Sequence, residues 1–158
     1  MGVRRSFDRA SSRSAGFSLP ELLAVLALVA IAIAIAIPLV NEQVRIADLR
    51  AAADDFAVHL RAARMISVTK HTAIDFEVVS GNMFRYGVPP DGPWKEINTP
   101  PRVQIAPASD RSITFKANGS VVAAGTFVLE SLVSGSTERW TASVSTMGMP
   151  TLVHERVN

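Results

Sequence analysis

One uninterrupted apolar run near the N-terminus constrains this chain more than any other feature of its sequence. From Leu22 to Val40 there are 19 residues without a charged or polar side chain. A helix that crosses the hydrocarbon core of a membrane needs about 20 such residues. Glu21 stands directly before the run, and a carboxylate at the edge of a membrane span is costly enough to suggest that it is retained for a function.

The basic residues ahead of the run predict its orientation. Four of the 16 Lys and Arg residues and one of the 14 acidic residues precede Phe17. Because segments rich in Lys and Arg stay on the cytoplasmic side, the residues beyond the span are predicted to lie outside the cytoplasm. The whole chain has a net charge of +2, so the part from Phe17 onward has −1. The chain contains no cysteine, which excludes disulfide bonds and cysteine nucleophiles.

Local patterns allow several interpretations of the N-terminal region. Ser18 followed three residues later by Glu21 has the spacing of a capping box, which would place the carboxylate at a helix start. A cleaved secretory signal is a second interpretation, because Ala30–Ala36 contains A-x-A sites, although the apolar run is longer than such signals have. The segment Arg4–Phe7 partly resembles a twin-arginine signal, and the first residues fit a myristoylation pattern. Both patterns are short and recur by chance.

The residues Gly16 to Leu23, GFSLPELL, resemble the N-terminal signal of type IV pilins and type II secretion pseudopilins. In that class a short basic leader ends in glycine and is followed by phenylalanine, a glutamate and a long apolar helix. The resemblance implies that a prepilin peptidase removes residues 1–16 on the cytoplasmic side and that the new Phe17 amine is N-methylated. It also implies that Pro38 kinks the helix.

Cleavage would give Glu21 a physical role. The new amine of Phe17 is positively charged and lies near the membrane interface. Two opposite charges buried together cost far less than either charge alone, so we expect Glu21 of one subunit to neutralise the Phe17 amine of a neighbouring subunit. Such a pair would set the axial register between subunits, as a buried polar residue does in a coiled coil.

Beyond Pro38 the sequence predicts an amphipathic helix. We expect one nearly continuous helix from about Ser18 to about Val68. Apolar residues recur along its second half at three- and four-residue spacing, at Ile46, Leu49, Ala53, Phe56, Leu60 and Ala63. The first half of the helix is predicted to lie in lipid, and this stripe of the second half to pack on a domain.

After Lys70 the apolar period changes to two, which predicts an antiparallel β domain with about seven short strands at most. Ile74 and Phe76 begin the first alternating segment. The proline-rich segment from Pro89 to Arg102 is predicted to be a surface loop. Asn118–Gly119 is predicted to form a tight turn between strands.

The segments SITFKANGS and VSTMGMPTLV, with the leader and the helix, resemble the GspH/FimT type of minor pseudopilin domain. The resemblance spans most of the chain and implies an α+β, pilin-like fold, with a long, partly transmembrane N-terminal helix packed on an antiparallel β-sheet domain. The expected segments are a leader (1–16), a transmembrane assembly half of the helix (17–40), an amphipathic half (41–70) and the β domain (71–158). Many relatives carry a basic residue after the last glycine, where this chain has Met149.

The resemblance implies a minor pseudopilin of a type II secretion system, a structural subunit near the tip of a short periplasmic pseudopilus assembled from the bacterial inner membrane. Its implied partners are other minor and major pseudopilins, the prepilin peptidase, the inner-membrane assembly platform and membrane lipid. The alternative is a FimT-like minor type IV pilin involved in pilus biogenesis or DNA uptake. A third interpretation, a signal-anchored domain that assembles with nothing, predicts that Gly16 stays uncut.

Nucleic-acid binding is disfavoured by the distribution of charge, because phosphate contacts require a basic surface. No basic stripe is visible beyond the leader. Folding could still gather a few separated basic residues, namely Arg85, Arg102, Arg111 and Lys116.

No pattern of catalytic or cofactor-binding residues is present. The three histidines, His59, His71 and His154, lack metal-ligand spacing. No nucleophile elbow, zinc-protease motif, P-loop or dinucleotide fingerprint occurs. Asp54 and Asp55 are predicted to lie on a solvated helix face rather than at a metal site. We therefore expect no enzymatic activity, no cofactor and no metal.

Overall fold

The computed structural model describes residues 17–132 and 138–156. The expected leader, which ends at Gly16, lies outside these residues. The chain divides into two compact units, residues 1–40 and residues 41–158. One helix, α1 (Leu19–Thr69), contributes residues to both units, and it confirms the continuous helix predicted from the sequence.

The apolar side chains that the structure describes in the first unit are exposed. The side chains of residues 17–37 are all exposed, with Leu28 at 68% and Ile35 at 62%. By length and composition α1 is able to cross a membrane. Leaving apolar surface in water costs about 25 cal/mol per Å², so this segment needs lipid or neighbouring helices around it.

In the second unit, one face of α1 is buried in the core. Five residues of the predicted stripe are at most 1% exposed: Leu49, Ala53, Phe56, Leu60 and Ala63. Ile46, which begins the stripe, is half-buried. Ser67 ends the buried face, and its hydroxyl donates a hydrogen bond of 2.7 Å to the carbonyl oxygen of Arg64. The buried polar group is thereby satisfied.

In the part of the chain that the structure describes, eight strands form two four-stranded antiparallel sheets. Their bounds are β1 (Ile74–Ser80), β2 (Met83–Gly87), β3 (Trp94–Asn98), β4 (Val103–Ile105), β5 (Ser112–Phe115), β6 (Gly125–Ser131), β7 (Glu138–Val144) and β8 (Pro150–Arg156). Sheet A has the order β3-β2-β1-β5, and sheet B has the order β4-β6-β7-β8. The predicted antiparallel β domain is confirmed, but the predicted maximum of about seven strands is wrong.

The predicted surface loop from Pro89 to Arg102 contains strand β3, so that prediction is wrong. β3 pairs along its whole length with β2 as the edge strand of sheet A. Its half-buried side chains, Trp94 and Ile97, are three residues apart, so no period-two alternation marks the strand. Prolines flank the strand on both sides without interrupting its hydrogen bonds to β2. Because of these prolines, the whole segment had the composition of a loop.

The predicted turn at Asn118–Gly119 is present, but it does not connect two strands of one sheet. Gly119 has a φ of +78°, a conformation that glycine adopts without steric cost. An isolated bridge between Phe115 and Val121 joins the arms of the turn. The strands before and after it, β5 and β6, belong to sheet A and sheet B respectively. The turn therefore lies where the chain passes from one sheet to the other.

Phe56 of α1 contacts aromatic rings of both sheets. Its ring centroid lies 5.2 Å from that of Phe76 on β1 and 4.8 Å from that of Phe84 on β2, both in sheet A. The ring of Phe127, on β6 of sheet B, is 5.3 Å away. All four rings are at most 1% exposed. The helix and the two sheets thus share one aromatic core.

Replacing Phe56 with Ala should destabilise the domain by about 3–5 kcal/mol, because it removes a fully buried ring and leaves a cavity between three elements. The free energy of unfolding is measurable by urea titration of the detergent-solubilised chain, followed by tryptophan fluorescence. Val58→Ala is the matched control, since Val58 lies on the same helix and is 53% exposed. A loss that is equally small in both variants would contradict the central position of Phe56.

Candidate assembly interface

The start of α1 holds the carboxylate that precedes the apolar run. The backbone N–H groups of Glu21 and Leu22 each donate to the carbonyl oxygen of Ser18 at 3.1 Å. The backbone N–H of Ser18 donates in return to Oε2 of Glu21 at 3.5 Å. This is one arm of a capping box. At this length the bond is weak, so the carboxylate retains its capacity to accept stronger donors.

The predicted site residues do not all fall within the described part of the chain. Gly16 lies outside it. Phe17 is 81% exposed and lies, with Glu21, at the start of α1. Pro38 lies within α1, and a kink at that residue stays a prediction. Phe17 and Glu21 are therefore both exposed near the start of α1, and a role for either in assembly stays a prediction.

In the second unit, two glycine turns contact each other beside α1. Gly148 has a φ of +74°, and a Cβ atom added there would collide with the carbonyl oxygen of Gly119. Arg64 of α1 joins both turns, because its Nε donates to that carbonyl oxygen at 3.0 Å and its Nη1 lies 3.1 Å from Sδ of Met149. Met149, the residue after the last glycine, thus contacts Arg64 of the helix.

Sequence reasoning missed the contact of Arg64 with these turns. The two glycines signal the turns, but no pattern in the sequence shows that turns so far apart along the chain meet on the same helix residue.

His59 lies in the half-buried rim of the aromatic core. Its Nδ1 is 3.4 Å from the hydroxyl of Tyr86, and its Nε2 is 3.6 Å from Oδ2 of Asp55. Burial lowers the pKa of His59 below its ordinary value of 6.5, Asp55 raises it in part, and Lys95 lowers it further. The imidazole is therefore held as a neutral group that packs against Phe84 and Tyr86.

His154 makes its contacts within sheet B. His154 pairs with Glu138 and stacks on Trp140, with ring centroids 4.8 Å apart. Among residues 17–132 and 138–156, no group of three or more histidine or acidic side chains is arranged to hold a metal ion.

Basic side chains of the β domain are partly neutralised by acids. Arg85 donates to Glu77 at 2.8 Å, and its guanidinium lies 4.3 Å from the ring centroid of Trp94. Arg102 lies 3.9 Å from Asp48. Two of the four basic residues that folding could have gathered into a phosphate-binding surface are therefore engaged with carboxylates.

Two parts of the chain match known protein families. Residues 11–37 match the prokaryotic N-terminal methylation motif. Residues 52–148, more than half of the 158-residue chain, match the family of the type II transport protein GspH. No curated protein sequence matches the chain.

Two kinds of solved structure are similar in fold. The type IV minor pilin FimU of Pseudomonas aeruginosa has 22% sequence identity and a TM-score of 0.57, over 66% of this chain and 87% of that one. The minor pseudopilin EpsH of the type 2 secretion system of Vibrio cholerae has 12% identity and a TM-score of 0.55, over 67% of this chain and 96% of that one. At these identities the likeness shows the α+β fold alone.

The lowered pKa of His59 predicts a loss of stability in weak acid. Well above pH 6.5, His59 is neutral in both the folded and the unfolded state, so it causes no loss of stability there. As the pH falls below that value, the unfolded chain takes up a proton before the folded chain does, so the free energy of unfolding decreases until the folded-state pKa is reached.

Urea unfolding of the wild-type chain and of His59→Gln, from about pH 7.5 to about pH 5.5, measures this effect. Glutamine keeps a hydrogen-bonding group near Tyr86 but does not titrate. We expect the wild-type chain to lose more stability than the variant over this interval, and parallel pH curves would refute the role of His59.

Proposed function

This chain belongs to the GspH family of type II transport proteins, and we propose that it is a minor pseudopilin, a structural subunit near the tip of a short periplasmic filament. One observation carries the proposal: a methylation motif at residues 11–37 and a GspH domain at residues 52–148 occur in the same chain. The family predicted from the sequence is thereby confirmed. The chain is a membrane-anchored protein with a soluble C-terminal domain, and the basic leader supports placing that domain in the periplasm.

The first step of the proposed function is processing of the leader. Cleavage between Gly16 and Phe17 removes the arginines that hold residues 1–16 on the cytoplasmic side. It leaves an apolar helix whose only nearby charges are the methylated Phe17 amine and Glu21. The chain is then free of the basic segment that would oppose its extraction from the membrane.

The second step is assembly through the exposed helix of the first unit. The side chains of residues 17–37 are all exposed, and neighbouring pseudopilin helices would replace lipid around them. Glu21 of one subunit then neutralises the Phe17 amine of the next, because either charge alone is costly in a packed apolar bundle. The partners are other pseudopilins and the prepilin peptidase, with an inner-membrane assembly platform supplying the base of the filament.

A minor subunit of a type IV pilus is the alternative, and the similarity to FimU fits it. That likeness concerns the fold, which pilins and pseudopilins have in common. The GspH family match favours secretion. DNA uptake is further disfavoured because Arg85 and Arg102 lie beside Glu77 and Asp48, which reduces the charge available to phosphates.

Processing predicts a defined N-terminus. When the full chain is co-expressed with a prepilin peptidase, mass spectrometry should find Phe17 as the first residue and a methyl group on its amine. Gly16→Leu is the matched variant, and it should accumulate with residues 1–16 attached, because it removes the glycine at which the implied cleavage site ends. Uncut wild-type chain, in cells where sister subunits are trimmed, would contradict the proposal.

Replacing Glu21 with Val should leave membrane insertion intact while reducing incorporation into sheared filaments by about tenfold or more, since an unpaired buried charge costs about 3–5 kcal/mol. Incorporation is measurable by immunoblotting of the filament fraction. Glu42→Val is the control, because Glu42 is exposed on the same helix beyond the apolar run. Normal incorporation of Glu21→Val would show that the pairing with Phe17 does not drive assembly.

A further inference from the structure

An open depression of about 540 Å³ lies beside the last turns of α1 in the second unit. Most of its lining comes from one side of the helix, because residues three and four apart lie on the same face. The turn at Gly119 contributes the rest. The lining residues are Arg61, Arg64, Met65, Val68, Thr69 and Asn118. We name these six residues, together with Met149, which contacts Arg64, the Arg–Met face.

The Arg–Met face is held in shape by the glycine turns. The carbonyl oxygen of Gly119 accepts a hydrogen bond of 3.0 Å from Nε of Arg64. A Cβ atom added at Gly119 would lie only 2.8 Å from Cγ2 of Val68, so the turn packs directly against the helix. The face is therefore preformed, and a ligand that binds there does not have to order the backbone beneath it.

The Arg–Met face leaves large apolar side chains in solvent. Met65 is 69% exposed, Met149 is 53% exposed and Val68 is 42% exposed. Exposed apolar side chains that lie together, bordered by polar groups, are typical of a surface that binds another protein. Methionine is flexible and polarisable, so it adapts its shape to the apolar side chains of a partner.

The charge of the Arg–Met face is positive and has no acidic counterpart. In the part of the chain that the structure describes, neither Arg61 nor Arg64 forms an ion pair with a carboxylate. The three segments that supply the face, residues 56–74, 111–129 and 139–154, contain no Asp or Glu. Arginine binds carboxylates through paired, charge-assisted hydrogen bonds, so the complementary ligand carries carboxylates beside apolar groups.

We infer that the Arg–Met face is a docking site for an acidic, apolar segment of a different protein. The carboxylates of that segment pair with the two arginines, and its apolar side chains pack on Met65, Val68 and Met149. This inference goes beyond the proposed function, because neither leader processing nor assembly through residues 17–37 uses this face.

Charge and shape argue against the other occupants. A second copy that bound through the same face would bring arginines against arginines, and like charges in contact are unfavourable. A nucleic acid would pair its phosphates with the arginines but would leave the apolar side chains without a partner. Among the described lining residues none is aromatic, so the depression offers no ring on which a base could stack.

A synthetic probe tests the recognised chemistry. The probe is a short fluorescent peptide, capped at both ends, that carries Glu and Leu at helical spacing. The full chain is reconstituted in phosphatidylcholine nanodiscs, and empty discs give the lipid background. We expect saturable binding by fluorescence anisotropy. Matched peptides with Gln in place of Glu, or Ser in place of Leu, should bind about tenfold more weakly. Equal binding of either matched peptide would overturn the inference.

Substitutions in the chain locate the binding. Arg61→Glu should weaken binding of the acidic peptide by about tenfold or more, because it replaces an attraction with a repulsion. Arg50→Glu is the matched control, since Arg50 lies on the same helix and is 71% exposed. Met65→Ser should weaken binding by about fivefold, and Val58→Ser, at a position that is 53% exposed, is its control. Both controls should bind as the wild-type chain does.

Urea unfolding of each variant establishes that a loss of binding is not a loss of folding. A folded Arg61→Glu chain that binds the acidic peptide as well as the Arg50→Glu chain does would refute the docking site. A fluorescent DNA duplex is measured on the same discs. If the duplex binds, the acidic peptide does not, and Arg61→Glu removes the binding, the face serves nucleic acid and the inference is wrong.

Discussion

The contact of Phe56 with both sheets is the interaction on which the rest of the domain depends. Its ring joins Phe76 and Phe84 of sheet A to Phe127 of sheet B. Because the chain has no cysteine, burial of this aromatic core, rather than a covalent link, holds the helix and the sheets together. The domain is consequently built around the same helix that enters the membrane, and stable folding and anchoring depend on one element.

Patterns set by local chemistry predicted the helix, its buried stripe and the antiparallel character of the strands. The apolar period of α1 reflects which side chains face the core, and that information is local. Strand β3 escaped prediction because its prolines lie outside the ladder while its half-buried Trp94 and Ile97 do not alternate. The contact of Arg64 with the turns at Gly119 and Gly148 escaped because it joins residues far apart in sequence. The periodicity of apolar residues carries no information about contacts between residues so far apart in the sequence.

The candidate assembly interface was likewise only partly predictable from the sequence. The spacing of Ser18 and Glu21 predicted the cap that the structure shows, because a cap is a local feature. A pairing of Glu21 with another subunit is different, because it depends on a second chain. In the single chain, Glu21 is an exposed carboxylate at the start of an exposed helical segment. The GspH match identifies the family, whereas the fold, with FimU and EpsH both similar, is common to filaments with different tasks.

The meeting of Gly119 with Gly148 couples two loops that no ladder joins directly. A side chain at Gly148 would have to displace the opposite backbone, so neither loop is free to lengthen or change shape alone. We therefore expect the lengths of the two loops to change together among related sequences, so that an insertion in one loop is accompanied by a change in the other. Beside Arg64, the two loops therefore form one packed unit, although they lie far apart in the sequence.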